Sequence, residues 1–201
     1  MSTRVLSAAM LLLATSFMYG HRAGAQRSMP SPVVLDSATI QERANLRVLL
    51  NSAVRPNIVG AAIAMPADKY GFAPTIGEFK NVRTFGRQVK HLAATNYILA
   101  AAALGQAPPA DAGDEQGPDS VLTKEQHITY LKGSFDALEK AIDAIGDRRI
   151  PVRSSPISPF QGASATRLSL IAESLIHSYD HYGQMVEYLR MNGVVPPASR
   201  P

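Results

Sequence analysis

Between Ser164 and Gly193 the chain reads as one helix of about 30 residues, with His177-Ser-Tyr-Asp-His181 in its middle. Histidines at i and i+4 stand one turn apart on the same helical face. This is the spacing by which one helix gives two imidazoles to a single metal ion, although it also arises by chance on solvated helices. Glu173, His177, Asp180, His181 and Gln184 form a polar stripe, while Leu175, Ile176, Tyr179, Tyr182, Met185, Val186 and Leu189 fill much of the rest. So apolar a helix is expected to be buried on most of its circumference. Unpartnered polar groups inside it would cost roughly 2–7 kcal/mol each. A metal ion or a polar cleft would offset that cost, and a solvated face is the competing account.

The preceding chain supplies three further apolar seams. Asp36 or Ser37 can cap a first helix, with Ile40, Leu46, Leu49, Leu50, Ala53 and Val54 on its buried face. Pro56 should kink or interrupt it, because proline lacks an N–H and crowds the preceding turn. The pattern resumes at Ile58 and stops at Met65-Pro66. Residues 67–83 read as an ordered connection whose aromatics pack on the bundle. A second helix spans about Thr84 to Leu104, with Val82, Phe85, Val89, Leu92, Asn96, Leu99 and Ala103 at three-four spacing. Gly105 to Val121 reads as a mobile, solvated loop. Thr123-x-x-Gln126 fits a capping box for a third helix that carries Ile128, Leu131, Phe135, Leu138, Ile142 and Ile145 and ends at Gly146-Asp147. A loop from Arg148 to Gly162 leads to the long helix, which Gly193 should stop. No stretch shows sustained strand alternation. The fold class is therefore all-α: a four-helix bundle with a kinked first helix and long loops.

A metal site on the long helix needs a third ligand from a neighbour. Of the five histidines, His21 falls in an N-terminal signal peptide, and His127, beside the seam of the third helix, reads as a solvated surface residue. His91 adjoins the seam of the second helix, on a face with Gln88, Thr95 and Ile98, and is the best candidate. The alternative is a core histidine satisfied by a hydrogen bond. Three neutral imidazoles would leave a coordination position open to water or substrate, an arrangement of catalytic character. Asp180 or Glu173 would then orient an imidazole through its other ring nitrogen. Asn96, Tyr70 and Gln184 are weaker candidates for lining the pocket, with packing or hydrogen bonding inside the bundle as their simpler role. Ser178 stands where a His-Glu-x-x-His metalloprotease would carry glutamate.

Composition closes off several classes. The chain has 201 residues, a net charge of +4 and no cysteine. There is consequently no disulfide framework and no cysteine nucleophile, and any metal takes nitrogen and oxygen ligands. Residues 1–25 read as a signal peptide: Arg4, an apolar run from Val5 to Phe17, then Ala23-Gly24-Ala25 as the cleavage site. Residues 26–35 read as a flexible leader and 36–201 as the bundle domain. The expected product is exported, periplasmic or secreted, with no stable membrane span after cleavage. No basic cluster with interleaved aromatics suggests a nucleic-acid partner.

The assembled residues resemble the DinB-like (DinB/YfiT-type) metalloenzyme superfamily of bacterial helical-bundle proteins. The resemblance rests on the run from His177 to Ser199, on Ala67-Asp-Lys-Tyr-Gly-Phe72, and on Arg83-Thr-Phe-Gly-Arg-Gln-Val-Lys-His-Leu-Ala-Ala-Thr-Asn96. It implies an up-down-down-up bundle and a divalent metal, zinc or nickel, on His91, His177 and His181. It also implies hydrolysis, or transfer of a thiol such as mycothiol or bacillithiol, on an unnamed small molecule. A signal peptide sets this chain apart from relatives that use cytoplasmic thiols. The other function class is a non-catalytic bundle that binds a metal or ligand for storage, sensing or scaffolding. Bundle faces in such proteins often pair, so a homodimer is open to it.

Overall fold

The apolar seams become four helical rods in the computed structural model, which describes residues 35–112, 115–146, 151–152, 157 and 165–201. The signal peptide, nearly all of the leader and most of the loop from Arg148 to Gly162 lie outside the described residues. The first rod is α1 (Ser37–Leu49) and α2 (Arg55–Ala64), joined by a π-helical turn at Leu50–Val54. The others are α3 (Phe85–Ala103), α4 (Lys124–Asp143) and α5 (Arg167–Met191).

The interruption expected at Pro56 takes the form of that π turn. Pro56 has no N–H to give the carbonyl four residues back, and Arg55 N–H reaches Leu50 O, five residues back. The wider winding changes which residues face inward. Positions 46, 50, 54 and 58 now line up at four-residue spacing, with Leu50, Val54 and Ile58 fully buried. Leu49 and Ile40, expected in the core from ordinary helical spacing, are instead 45 % and 55 % exposed.

Contacts between rods fix their directions. Arg47 pairs with Asp143 at 3.1 Å and Arg55 with Asp136 at 2.9 Å, so the first rod runs antiparallel to α4. Gly86 lies against His127 and Asn96 bonds Ser134, so α3 runs parallel to α4. Tyr188 Oη donates to Arg83 O at 3.1 Å and Ser174 Oγ to Asn96 Oδ1 at 2.8 Å, so α5 runs antiparallel to α3. The result is the up-down-down-up bundle. Its core includes Phe85, Leu92, Leu99, Phe135, Leu138, Ile142, Leu170 and Ile171, all wholly buried.

Local chemistry places the helix ends. Asp36 caps α1 and Thr84 caps α3, and Thr123 with Gln126 makes the expected capping box on α4. A second capping box, Thr166 with Ser169, starts α5. Helix α5 begins at Arg167 because Ala165–Thr166 (β2) is extended and pairs antiparallel with Pro151–Val152 (β1). A two-residue ladder is too short to leave an alternation signal. Helix α4 stops at Asp143, before the expected Gly146-Asp147 end, of which Asp147 lies outside the described residues. Gly193, at φ +71°, stops α5 as expected, and Val194 N–H turns back to Leu189 O at 2.9 Å. Helix α5 is less enclosed than its composition suggests: Ile176 is 72 % and Tyr179 38 % exposed. Among the described residues no helix is long and apolar enough to cross a membrane.

Candidate metal centre

Helices α3 and α5 cross the bundle interior side by side, and their shared seam carries its polar residues in layers. The deepest layer centres on Asn96, which is fully buried. Its amide nitrogen donates to Ser134 Oγ of α4, and its Oδ1 accepts from Ser174 and Ser178 of α5. The polar break in the α3 seam is thus satisfied by hydroxyls of two neighbouring helices. Asn96 ties three rods together.

One turn toward the α3 N-terminus, His91 meets His177 and His181. The Nε2 atoms of His177 and His91 are 3.2 Å apart and those of His181 and His177 3.1 Å apart. One ring nitrogen from each residue lies within 4.8 Å of the others. His91 and His181 are buried and His177 is half-buried. The three residues named from sequence therefore form one cluster.

Hydrogen bonding alone cannot satisfy this cluster. His91 Nδ1 lies 2.9 Å from Glu115 O, which can only accept, so the His91 proton sits on Nδ1 and its Nε2 presents a lone pair. His177 Nε2 must then donate to bond it, and a nitrogen carrying that proton cannot also accept from His181. One imidazole N–H points in a single direction, so at most one of the two short contacts can be a well-aligned hydrogen bond. A cation between three lone pairs removes the conflict. Three nitrogens about 2.0–2.1 Å from a tetrahedral ion would lie roughly 3.3 Å from one another, close to the spacing found.

The electrostatics agree with a donor set of neutral imidazoles. Burial, then the neighbouring His91, then Arg83 push His177 down to about 4. Burial, followed by His177, His91 and Arg83, pushes His181 down to about 3. Burial and Arg83 also lower His91, opposed by its bond to Glu115 and by that carboxylate. All three therefore hold free lone pairs at neutral pH.

Several sequence expectations need correction. Asp180 and Glu173 do not orient an imidazole: Nδ1 of His177 and of His181 is buried without a hydrogen-bond partner. Asp180 instead accepts from Gln184 at 3.1 Å. The orienting group for His91 is a backbone carbonyl from the loop expected to be mobile. That loop is anchored across α3: Ala112 and Val121 are buried, Lys90 Nζ donates to Pro118 O, and Glu115 adopts φ +77° beside His91. Backbone acceptors leave no mark on a sequence, so this contact had no signal.

His127 is not a surface residue. It is 7 % exposed, its Nδ1 lies 2.7 Å from Thr123 O, and its ring packs edge-on against Tyr70. Burial lowers its pKa. Tyr70 lies away from the cluster, where its hydroxyl donates to Ala62 O at 2.7 Å and burial raises its pKa well above that of a free phenol. Gln184 does line a cavity, with Asn81, Val82, Arg83, Arg87, Gln88 and Gln116. Gln88 on α3 hydrogen-bonds Gln184 on α5. Since Gln88 lies three residues before His91 and Gln184 three after His181, this bridge sits next to the histidine layer.

Fold and site together define an all-α four-helix bundle with a buried three-histidine cluster suited to a metal ion. The DinB superfamily model matches residues 42–185, from α1 into the last two turns of α5, and the chain belongs to that superfamily. No curated protein matches the chain.

Proposed function

We propose that this chain is a metal-dependent enzyme in which His91, His177 and His181 hold one divalent ion, zinc or nickel. The observation that carries this reading is the meeting of three Nε2 atoms, drawn from two helices, whose proton positions cannot satisfy one another. An ion bound there would supply Lewis acidity and lower the pKa of a water or thiol at its open position. The chain's own residues would set the geometry. Glu115 O holds the proton of His91 on Nδ1, and the Asn96 layer braces the turn of α5 that carries His177.

Hydrolysis and transfer of a thiol to an electrophile both suit such a site, acting on a small molecule that enters through the adjoining cavity. Metal analysis of the purified protein should give one ion per chain, with a large loss in His181→Ala. Equal metal content in the two proteins would defeat the assignment. Turnover of model esters, amides or epoxides that a chelator abolishes would mark an enzyme; metal binding without turnover would favour a storage or sensing role.

We also propose that the enzyme works outside the cytoplasm, on the strength of the leader pattern in residues 1–25. The N-terminus of protein recovered from its own cells should then be Gln26, and protein retained in the cytoplasm with Met1 intact would refute export.

A further inference from the structure

The cavity beside the histidine layer has a volume of about 440 Å³, within the range of small-molecule sites. Its lining includes two arginines, Arg83 and Arg87, and three glutamines, but no carboxylate. Of the six other described arginines, Arg47, Arg55 and Arg190 pair with carboxylates of described residues and Arg43, Arg167 and Arg200 do not. Among the described residues, Arg83 and Arg87 pair with none. Two guanidinium groups on one polar wall repel each other, and an anion between them removes that repulsion.

The rest of the wall favours the same charge. Arg83 and Arg87 flank Thr84, the N-cap of the 19-residue helix α3, so the positive end of the helix dipole lies beside them, while the first-turn N–H groups are taken by Phe72 O, Tyr70 O, Thr84 Oγ1 and Thr84 O. The wall's amides are also oriented. Asp180 can only accept, so Gln184 turns its amide nitrogen toward it and its oxygen toward Gln88. Gln88 therefore gives its amide nitrogen to Gln184, and its Oε1, on a side chain of a residue 2 % exposed, is left without a partner, an acceptor that suits an N–H or O–H of the same ligand and not its anionic group.

We propose that this cavity is the recognition half of the site, taking a small molecule by an anionic group, carboxylate or phosphate, held by Arg83 and Arg87, with its reacting end toward His91, His177 and His181. Arginine suits the task because its planar fork matches both anions and stays charged. That the occupant is a substrate rests on the metalloenzyme reading; that it is an anion does not.

The test is an NMR titration of the full chain, metal-free and zinc-loaded, with succinate and phenyl phosphate as probes and with choline and benzyl alcohol as cationic and neutral controls. Both anions should shift resonances of the α3 N-terminal turn, the stronger showing which anionic group is preferred. Arg83→Gln and Arg87→Gln should each weaken the preferred anion by roughly ten- to a hundredfold, as expected for loss of a charge-assisted hydrogen bond. Metal content and unfolding midpoint should stay at wild-type values in both variants. Unchanged affinity in them would overturn the proposal, as would equal binding of choline or benzyl alcohol. Binding seen only with zinc and indifferent to both arginines would mark the anion as a ligand of the ion alone, and would overturn it too. Arginine-dependent anion binding by a wild-type protein that takes up no metal would support the cavity's role and defeat the metalloenzyme reading.

Discussion

The three imidazoles that suit a metal should make the metal-free protein acid-sensitive in a definite pH window. Above about pH 6.5 they are neutral in both the folded and the unfolded chain and leave stability unchanged with pH. Below it the unfolded chain takes up protons that the folded chain refuses, until the folded values of about 4 for His177 and about 3 for His181 are reached. Each such histidine removes about 1.4 kcal/mol of stability per pH unit, so this pair removes about 4 kcal/mol between pH 6.5 and 5. That is a large part of the roughly 5–15 kcal/mol typical of a domain. His91 and His127, also lowered by burial, act in the same direction. Most carboxylates stay ionised in this window, which isolates the histidine contribution. Urea unfolding in the presence of a chelator, repeated from about pH 7.5 to 5, measures it. The double variant His177→Asn with His181→Asn should lose roughly half of the wild-type slope or more. A flat wild-type profile, or an equal slope in the double variant, would refute the neutral-triad account.

Other substitutions probe the layers around the triad. Asn96→Ala should destabilise the chain by about 2–4 kcal/mol, because it strips partners from buried Ser174 and Ser178; urea unfolding at neutral pH reads this, and a loss under about 0.5 kcal/mol would show the layer to be dispensable. Gly86→Ala would set a methyl 3.2 Å from His127 Nε2, from Tyr70 Cδ1 and from Tyr70 O. It should cost about 1–3 kcal/mol by the same measurement, and a neutral result would mean that the Tyr70 segment gives way freely.

Much of the fold was legible because the seams of α3 and α4 are regular. Val89, Leu92, Leu99, Leu131, Phe135, Leu138 and Ile142 all lie in the core they were read into. The first rod was harder, since a π turn replaces the ordinary period and leaves Leu49 and Ile40 outside a core that keeps Leu50 and Val54. The histidine cluster could be assembled from one i, i+4 pair and one histidine at a seam edge. What surrounds it could not, for a physical reason: Glu115 acts through its carbonyl, which every residue possesses. His127 was misplaced because its burial depends on the Tyr70 segment folding back over the first turn of α3, against Gly86, whose lack of a side chain makes room. The carboxylates of α5 looked like partners for the imidazoles by spacing, yet Asp180 points along its own helix to Gln184.

The Asn96 layer has a consequence for traffic. With Ser134, Ser174 and Ser178 it closes the polar seam on the side of the histidines away from the arginine-lined cavity. A molecule entering from the cavity would therefore stop at the histidines, because the way on through the seam is filled by side chains bonded to one another.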